Sequence, residues 1–180
     1  TLSASYSYLH GTGARDALPA PEEPFGEGTS RPVLRNASLQ LTWPFQAGGQ
    51  ALRFNSDWRA QWNGTPLVPL DRFSIGGRYT VRGFDGEQTL SAERGYVWRN
   101  ELSLPLLQSR QEIYLGLDAG RVDGPSAQAL LGKSLMGTAL GLRGGSGGFS
   151  YDVFVSRPLQ QPEGFRSVHT PVGFSLNYSF

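Results

Sequence analysis

The stretch Val172-Gly-Phe-Ser-Leu-Asn-Tyr-Ser-Phe180 decides the fold. Val172, Phe174, Leu176, Tyr178 and Phe180 fall on one face of an extended chain, and Gly173, Ser175, Asn177 and Ser179 on the other. Side chains alternate across a strand, so this unbroken period of two predicts a strand with one apolar face. The pattern recurs upstream. Phe149, Tyr151, Val153 and Val155 alternate with Ser150, Asp152, Phe154 and Ser156, and Met136, Thr138, Leu140 and Leu142 alternate with Gly137, Ala139, Gly141 and Arg143. Ile113, Leu115, Leu117 and Ala119 oppose Tyr114, Gly116, Asp118 and Gly120. Tyr96, Trp98, Leu102 and Leu104 oppose Val97, Arg99, Glu101 and Ser103, with Asn100 interrupting the apolar face. Leu52, Phe54, Trp58, Ala60 and Trp62 oppose charged and amide residues; Leu39, Leu41, Trp43 and Phe45, and Leu2, Ala4, Tyr6 and Tyr8, oppose mainly serines and other small polar residues.

The count is about eight strands of roughly ten residues each, the length a tilted strand needs to cross a bilayer. Connections alternate in length. Gln46 to Gln50, Gln108 to Gln111 and Gly144 to Gly148 are short and turn-like, whereas residues 12–32, 65–94, 123–134 and 159–167 are long. All short turns therefore fall on one side of the sheet and all long loops on the other, as in outer-membrane barrels with periplasmic turns and external loops. A soluble meander or lipocalin-like barrel also shows period two, but its second face carries many lysines and glutamates. Here that face is serine, glycine, asparagine and scattered charge, and aromatics gather near strand ends as interfacial girdles do. The expected class is all-β, a transmembrane antiparallel β-barrel.

Composition agrees. No apolar run nears the roughly 18 residues of a spanning helix, and the mean hydropathy is −0.32, because lipid-facing and lumen-facing residues average out. The 24 glycines, 12 prolines and 12% aromatics suit strands and turns. Lysine plus arginine (16) nearly cancels aspartate plus glutamate (15), which argues against nucleic acid as a partner. Cysteine is absent, so disulfide frameworks and thiolate metal sites are excluded. The only histidines, His10 and His169, lie at predicted strand ends and offer no hydrolytic or metal constellation, and nucleotide-loop spacings are missing. Neither an enzyme nor a cofactor site is expected. Thr1 opens directly into a strand-like run, which leads us to expect a leader and an N-terminal region upstream.

The long segment 65–94 contains Gly76-Gly-Arg-Tyr-Thr-Val-Arg-Gly-Phe84. Val81-Arg82-Gly83-Phe84 resembles the tetrapeptide of the inward-folded sixth loop of Omp85-superfamily barrels, and Gly116-Leu-Asp-Ala-Gly120 resembles that family's short strand motif. Asp71-Arg-Phe-Ser-Ile-Gly-Gly77 narrows the likeness to the two-partner secretion (TpsB) branch. The resemblance implies that residues 1–180 are the C-terminal half of a barrel of about sixteen strands, with periplasmic POTRA domains and the first barrel half upstream. A closed eight-stranded barrel made of this segment alone is the open alternative. It further implies a location in the bacterial outer membrane and translocation, without nucleotide, of an unfolded partner exoprotein, a filamentous haemagglutinin-like adhesin or haemolysin. Outer-membrane lipids and the barrel-assembly machinery are the other implied partners, with Phe180 as insertion signal. A barrel-assembly insertase of the same superfamily and a diffusion porin are the other readings.

Arg53, Asp57, Arg59, Arg99, Glu101, Asp118, Arg143 and Asp152 all fall on the inward face, and most read as a charge-balanced pore wall. Arg82 differs. Folded into a lumen, it needs a carboxylate, because an unpaired charge in a partly desolvated site is costly. Asp118 is the expected partner, since Gly116 and Gly120 clear the face beside it for a close approach, and Glu101 on the neighbouring strand is the second candidate.

Overall fold

A computed structural model describes residues 1–14, 18–106 and 110–180. Its strands are β1 (Leu2–His10), β2 (Val33–Ala47), β3 (Gln50–Asn63), β4 (Phe73–Ile75), β5 (Leu90–Ala92), β6 (Arg94–Pro105), β7 (Gln111–Asp123), β8 (Ser134–Ser146), β9 (Phe149–Gln160) and β10 (Val172–Tyr178). Eight of them form one antiparallel sheet in the order β1-β2-β3-β6-β7-β8-β9-β10. β1 and β10 are its two edges, so the described residues form an open arc and not a closed eight-stranded barrel. The short pair β4–β5 is a separate hairpin inside the β3–β6 connection.

Several boundaries differ from the sequence expectation, for local reasons. The β2–β3 and β8–β9 connections contract to Gly48-Gly49 and Gly147-Gly148, all four with positive φ, because two-residue hairpins whose twist matches the strands need that conformation. Gly144 and Gly145, expected in a turn, instead pair with Tyr151 and Ser150. Leu159 belongs to β9, so the last long loop is residues 161–171. Of the expected turn Gln108 to Gln111, Gln108 and Ser109 lie outside the described residues, as do residues 15–17 of the first long loop.

Register places most of the apolar strand residues on one face. Leu115, Leu140, Val153 and Phe174 are exposed there, whereas Tyr114, Gly116, Asp118 and Gly120 on the other face of β7 are buried. What buries them is the β3–β6 connection, which lies across the inner face. Asn100, the interruption in the outer face, is satisfied laterally: Ser56 Oγ on β3 donates to its Oδ1 (2.9 Å), and its Nδ2 donates to the Leu117 carbonyl on β7 (3.4 Å). Trp98 Nε1 donates to the same Ser56 hydroxyl at 2.8 Å. A polar group facing hydrocarbon needs such partners, since lipid supplies none.

The largest core cluster lies inside the arc, toward the long-loop end. Ile75, Val81, Phe84, Leu90 and Ala92 of the connection pack against Val97, Val122 and Leu135 of the wall, with Ala127 and Phe165 from neighbouring loops. Val97 and Leu135 sit on the otherwise polar face because the hairpin covers them.

The facing is testable. Leu140→Lys, at the centre of β8 and exposed outward, should destabilise the barrel by about 2–4 kcal/mol, whereas Asn55→Lys on the inner face should escape that lipid penalty. Gly141 would be a poor control, because a Cβ there would lie 2.3 Å from Tyr114 Cζ. Reversible folding into lipid vesicles measures the contrast, and equal penalties would contradict a lipid-facing outer surface.

Candidate functional site

The tip of the β3–β6 connection is shaped by glycines and one hydroxyl. Thr80 Oγ1 accepts from the N–H groups of Gly76 and Gly77, each at 3.1 Å, and donates to the Gly77 carbonyl, closing a tight turn. Val81 then packs over Gly120, where a Cβ would lie 2.9 Å from its Cγ2. Gly83 has φ of 113° and crosses β9 so closely that a Cβ would stand 2.5 Å from the Arg157 carbonyl oxygen. Phe84 meets Phe165 edge to face at 5.6 Å.

Between Val81 and Gly83 the Arg82 side chain drops onto the wall. The residue is 5% exposed and Asp118 is 0% exposed, so this ion pair is buried in the protein, away from bulk water. Arg82 Nε and Nη2 donate to the two Asp118 oxygens, each at 2.7 Å, and the Arg82 backbone N–H adds a third bond at 3.0 Å. Nη1 donates to Glu101 Oε2 at 2.7 Å, and Nη2 also reaches the Asn100 carbonyl at 3.1 Å. A planar guanidinium suits this forked arrangement as an ammonium would not. The floor is glycine by necessity. A Cβ on Gly116 would fall 2.5 Å from Arg82 Cζ, and one on Gly137 only 1.8 Å from the Arg82 carbonyl oxygen.

The four loop-motif residues, Gly116, Asp118, Gly120 and Glu101 thus meet in one cluster. Phe180 does not join it; it lies fully exposed beyond β10, its ring 6.4 Å from that of Tyr178. His10 ends β1, its ring 6.2 Å from Tyr8, and His169 lies in the last loop; among the described residues neither has a hydrogen bond or ion pair to the cluster.

Sequence reasoning missed other members. Arg99 approaches Asp118 at 3.6 Å, and Arg59 and Arg99 both donate to the Tyr79 carbonyl, at 2.7 and 3.4 Å. Arg143 joins Glu101 at 2.6 Å and also bonds Glu112, which in turn bonds Arg53. Tyr114 donates to Asp152 at 2.8 Å with its ring 4.8 Å from the Arg143 guanidinium. Arg53, Arg59, Arg99, Arg143 and Asp152 carried the signal of a common face and Gly137 that of a small residue on it, while Glu112 carried none.

Outside the wall, the connection is tied to the last loop. Asp85 accepts from the Val168 N–H at 2.7 Å and Gln88 from the Arg166 N–H at 2.6 Å. Slight burial would raise the Asp85 pKa, but the N–H groups of Val168 and Glu87 outweigh it and hold the carboxyl below its usual range. Glu93, between β5 and β6, is held low in the same way: burial opposes the charge, and Ser126 with Arg72 overcomes it.

An arc of antiparallel strands with an apolar outer face and a long connection pinned inside by a buried ion pair defines a segment of an outer-membrane β-barrel. The chain belongs to the haemolysin secretion/activation family ShlB/FhaC/HecB, whose model matches residues 1–144. It is 39% identical over 186 residues to the outer membrane transporter CdiB-2 of Burkholderia pseudomallei (strain 1026b), covering 99% of this chain and 31% of the relative. The outer membrane transporter CdiB of Dickeya dadantii (strain 3937) is 30% identical over 125 residues, covering 67% of this chain and 22% of the relative. Among solved structures, CdiB from Acinetobacter baumannii superposes with TM-score 0.77 at 38% identity, over 84% of this chain and 28% of that one. CdiB from Escherichia coli gives TM-score 0.82 at 23% identity over 99% of this chain and 33% of that one, a likeness of fold alone. The chain therefore spans a third or less of the length of these relatives.

The glycine floor yields a ranking. Gly137→Ala opposes a backbone carbonyl that cannot swing away, so it should cost roughly 1–3 kcal/mol by overpacking and lift the loop tip. Gly116→Ala meets the end of a side chain and should be milder. Unfolding midpoints in lipid, with limited proteolysis of the loop, measure both, and the reverse order would refute the packing argument.

Proposed function

We propose that residues 1–180 are the C-terminal half of a barrel of about sixteen strands that carries an unfolded partner exoprotein from the periplasm to the cell surface without nucleotide. The family, whose curated relatives are named outer membrane transporters, supports this reading. The observation that carries it is the Arg82–Asp118 clasp, with Glu101 as second acceptor. A loop fastened inside a lumen by charge-assisted bonds occupies the path that a passing chain must take.

The partner is an adhesin or haemolysin of the filamentous haemagglutinin type. It enters at the short-turn end and folds outside, so that folding itself prevents return. The outward apolar face holds the segment in outer-membrane lipid, and Phe180, on that side and away from the clasp, serves recognition by the barrel-assembly machinery. An insertase or diffusion porin would need no secreted partner.

In the full-length transporter, Arg82→Ala should reduce secreted partner per folded barrel more than Arg78→Ala, and Asp118→Ala should resemble Arg82→Ala. Removing one member of a buried pair strands the other, at roughly 3–5 kcal/mol. Because the two act as a unit, the double substitution should add little to either single one. Wild-type secretion from Arg82→Ala, or additive losses, would overturn the clasp mechanism.

A further inference from the structure

Glu101 is shared. Its Oε2 accepts from Arg82 Nη1 at 2.7 Å, and its Oε1 accepts from Arg143 Nη2 at 2.6 Å. Among the described residues the only other bond to Oε1 is a long one, 3.4 Å, from Ser103 Oγ. Arg143 is itself fixed from several sides: Nε donates to Glu112, Nη2 donates to Ser103 Oγ at 3.2 Å, and the guanidinium stands 4.8 Å from the Tyr114 ring centroid. Glu112 is held at its other oxygen by Arg53. Charges therefore alternate without a gap, Asp118, Arg82, Glu101, Arg143, Glu112, Arg53, along the inner wall from the loop tip toward the short-turn end. Asp118 and Glu112 bracket six residues of rise on β7, about 20 Å at the usual strand spacing.

We propose that Arg143 is a positioning residue for the clasp: by fixing one oxygen of Glu101 it aims the other at Arg82, and so sets how firmly the loop tip is held. This deepens the transport reading and rests on it for its importance, though not for its test. The opposing account is a row of independent ion pairs, each stabilising the barrel a little.

Two features favour the ordered row. First, Arg143 is about one-third exposed, so as an isolated pair it would contribute little. Its leverage lies in orientation, because Arg82 is buried and, among the described residues, has only Asp118 and Glu101 as counter-charges within salt-bridge distance. Second, without Arg143 the Glu101 carboxylate keeps one well-made bond and is free to turn toward the wet lumen. Arg82 would then lose its Nη1 acceptor. The dependence runs through Glu101 alone, since Arg143 makes no hydrogen bond to Arg82 or Asp118 among the described residues. Glu112 and Arg53 extend the same logic to the short-turn rim, where Arg143 is braced.

The chain contains no cysteine, and Val81 lies 0% exposed beneath the tip. In the full-length transporter with Val81→Cys as its single thiol, in vesicles without any secreted partner, the rate of maleimide labelling reports lifting of the tip. Arg143→Gln should raise that rate by at least about threefold, with folded barrel, read by heat-modifiable gel mobility, unchanged. Arg143→Lys should recover part of the loss, since an ammonium can reach Glu101 but cannot bridge to Glu112 as well. In a Glu101→Gln background, Arg143→Gln should have no further effect. Unchanged labelling in Arg143→Gln, or additive rises in the double variant, would overturn the proposal. Should Arg143→Gln fail to fold, Glu112→Gln with and without Glu101→Gln supplies the same cycle, again non-additive if the row is ordered. Because no partner is present, a failed transport reading would leave these labelling results standing.

Discussion

A guanidinium taken out of water must meet its counter-charges inside the protein, and at Arg82 that requirement organises everything around it. The cation is satisfied only if a carboxylate stands on the wall at the right height, if the wall beside it has no side chains, and if the loop backbone approaches within contact of two strands. Asp118, Gly116 and Gly137 meet these conditions. Loss of any one would either strand a buried charge, the costliest of the errors, or push the tip away from its acceptor.

The connection is held by two unlike contacts. Its β4–β5 hairpin packs by apolar burial against Val97, Val122 and Leu135. Its tip, from Thr80 to Phe84, combines the two: Val81 and Phe84 join the same apolar cluster, and Arg82 between them is held by charge-assisted bonds to Asp118 and Glu101. Its outer neighbours, Asp85 with Val168 and Phe84 with Phe165, tie it to the loop before β10, so movement of one loop is felt by the other.

The sheet itself solves a different problem, facing two solvents at once. Apolar side chains meet lipid and polar ones the lumen, and the few exceptions are compensated where they occur. Asn100 is bonded sideways across three strands, while Phe154 on the inner face sits against Gly173 and beneath the Arg78 guanidinium.

The alternation from Leu2 to Tyr178 was enough to determine the strands, their two faces and the end of the sheet that bears the long loops, because side-chain facing is a local property of an extended chain. The demand of Arg82 for a carboxylate was also legible, once the tetrapeptide suggested an inward loop. Tertiary structure alone decided that the sheet is an open arc, that residues 73–75 and 90–92 form a hairpin over an apolar part of the inner wall, and that Gly144 and Gly145 extend a strand. It alone brought Gly137 under Arg82 and joined Arg143 to Glu101 and Glu112. Those contacts depend on the register between strands and on the path of a long connection, and neither is written in the periodicity of any one strand.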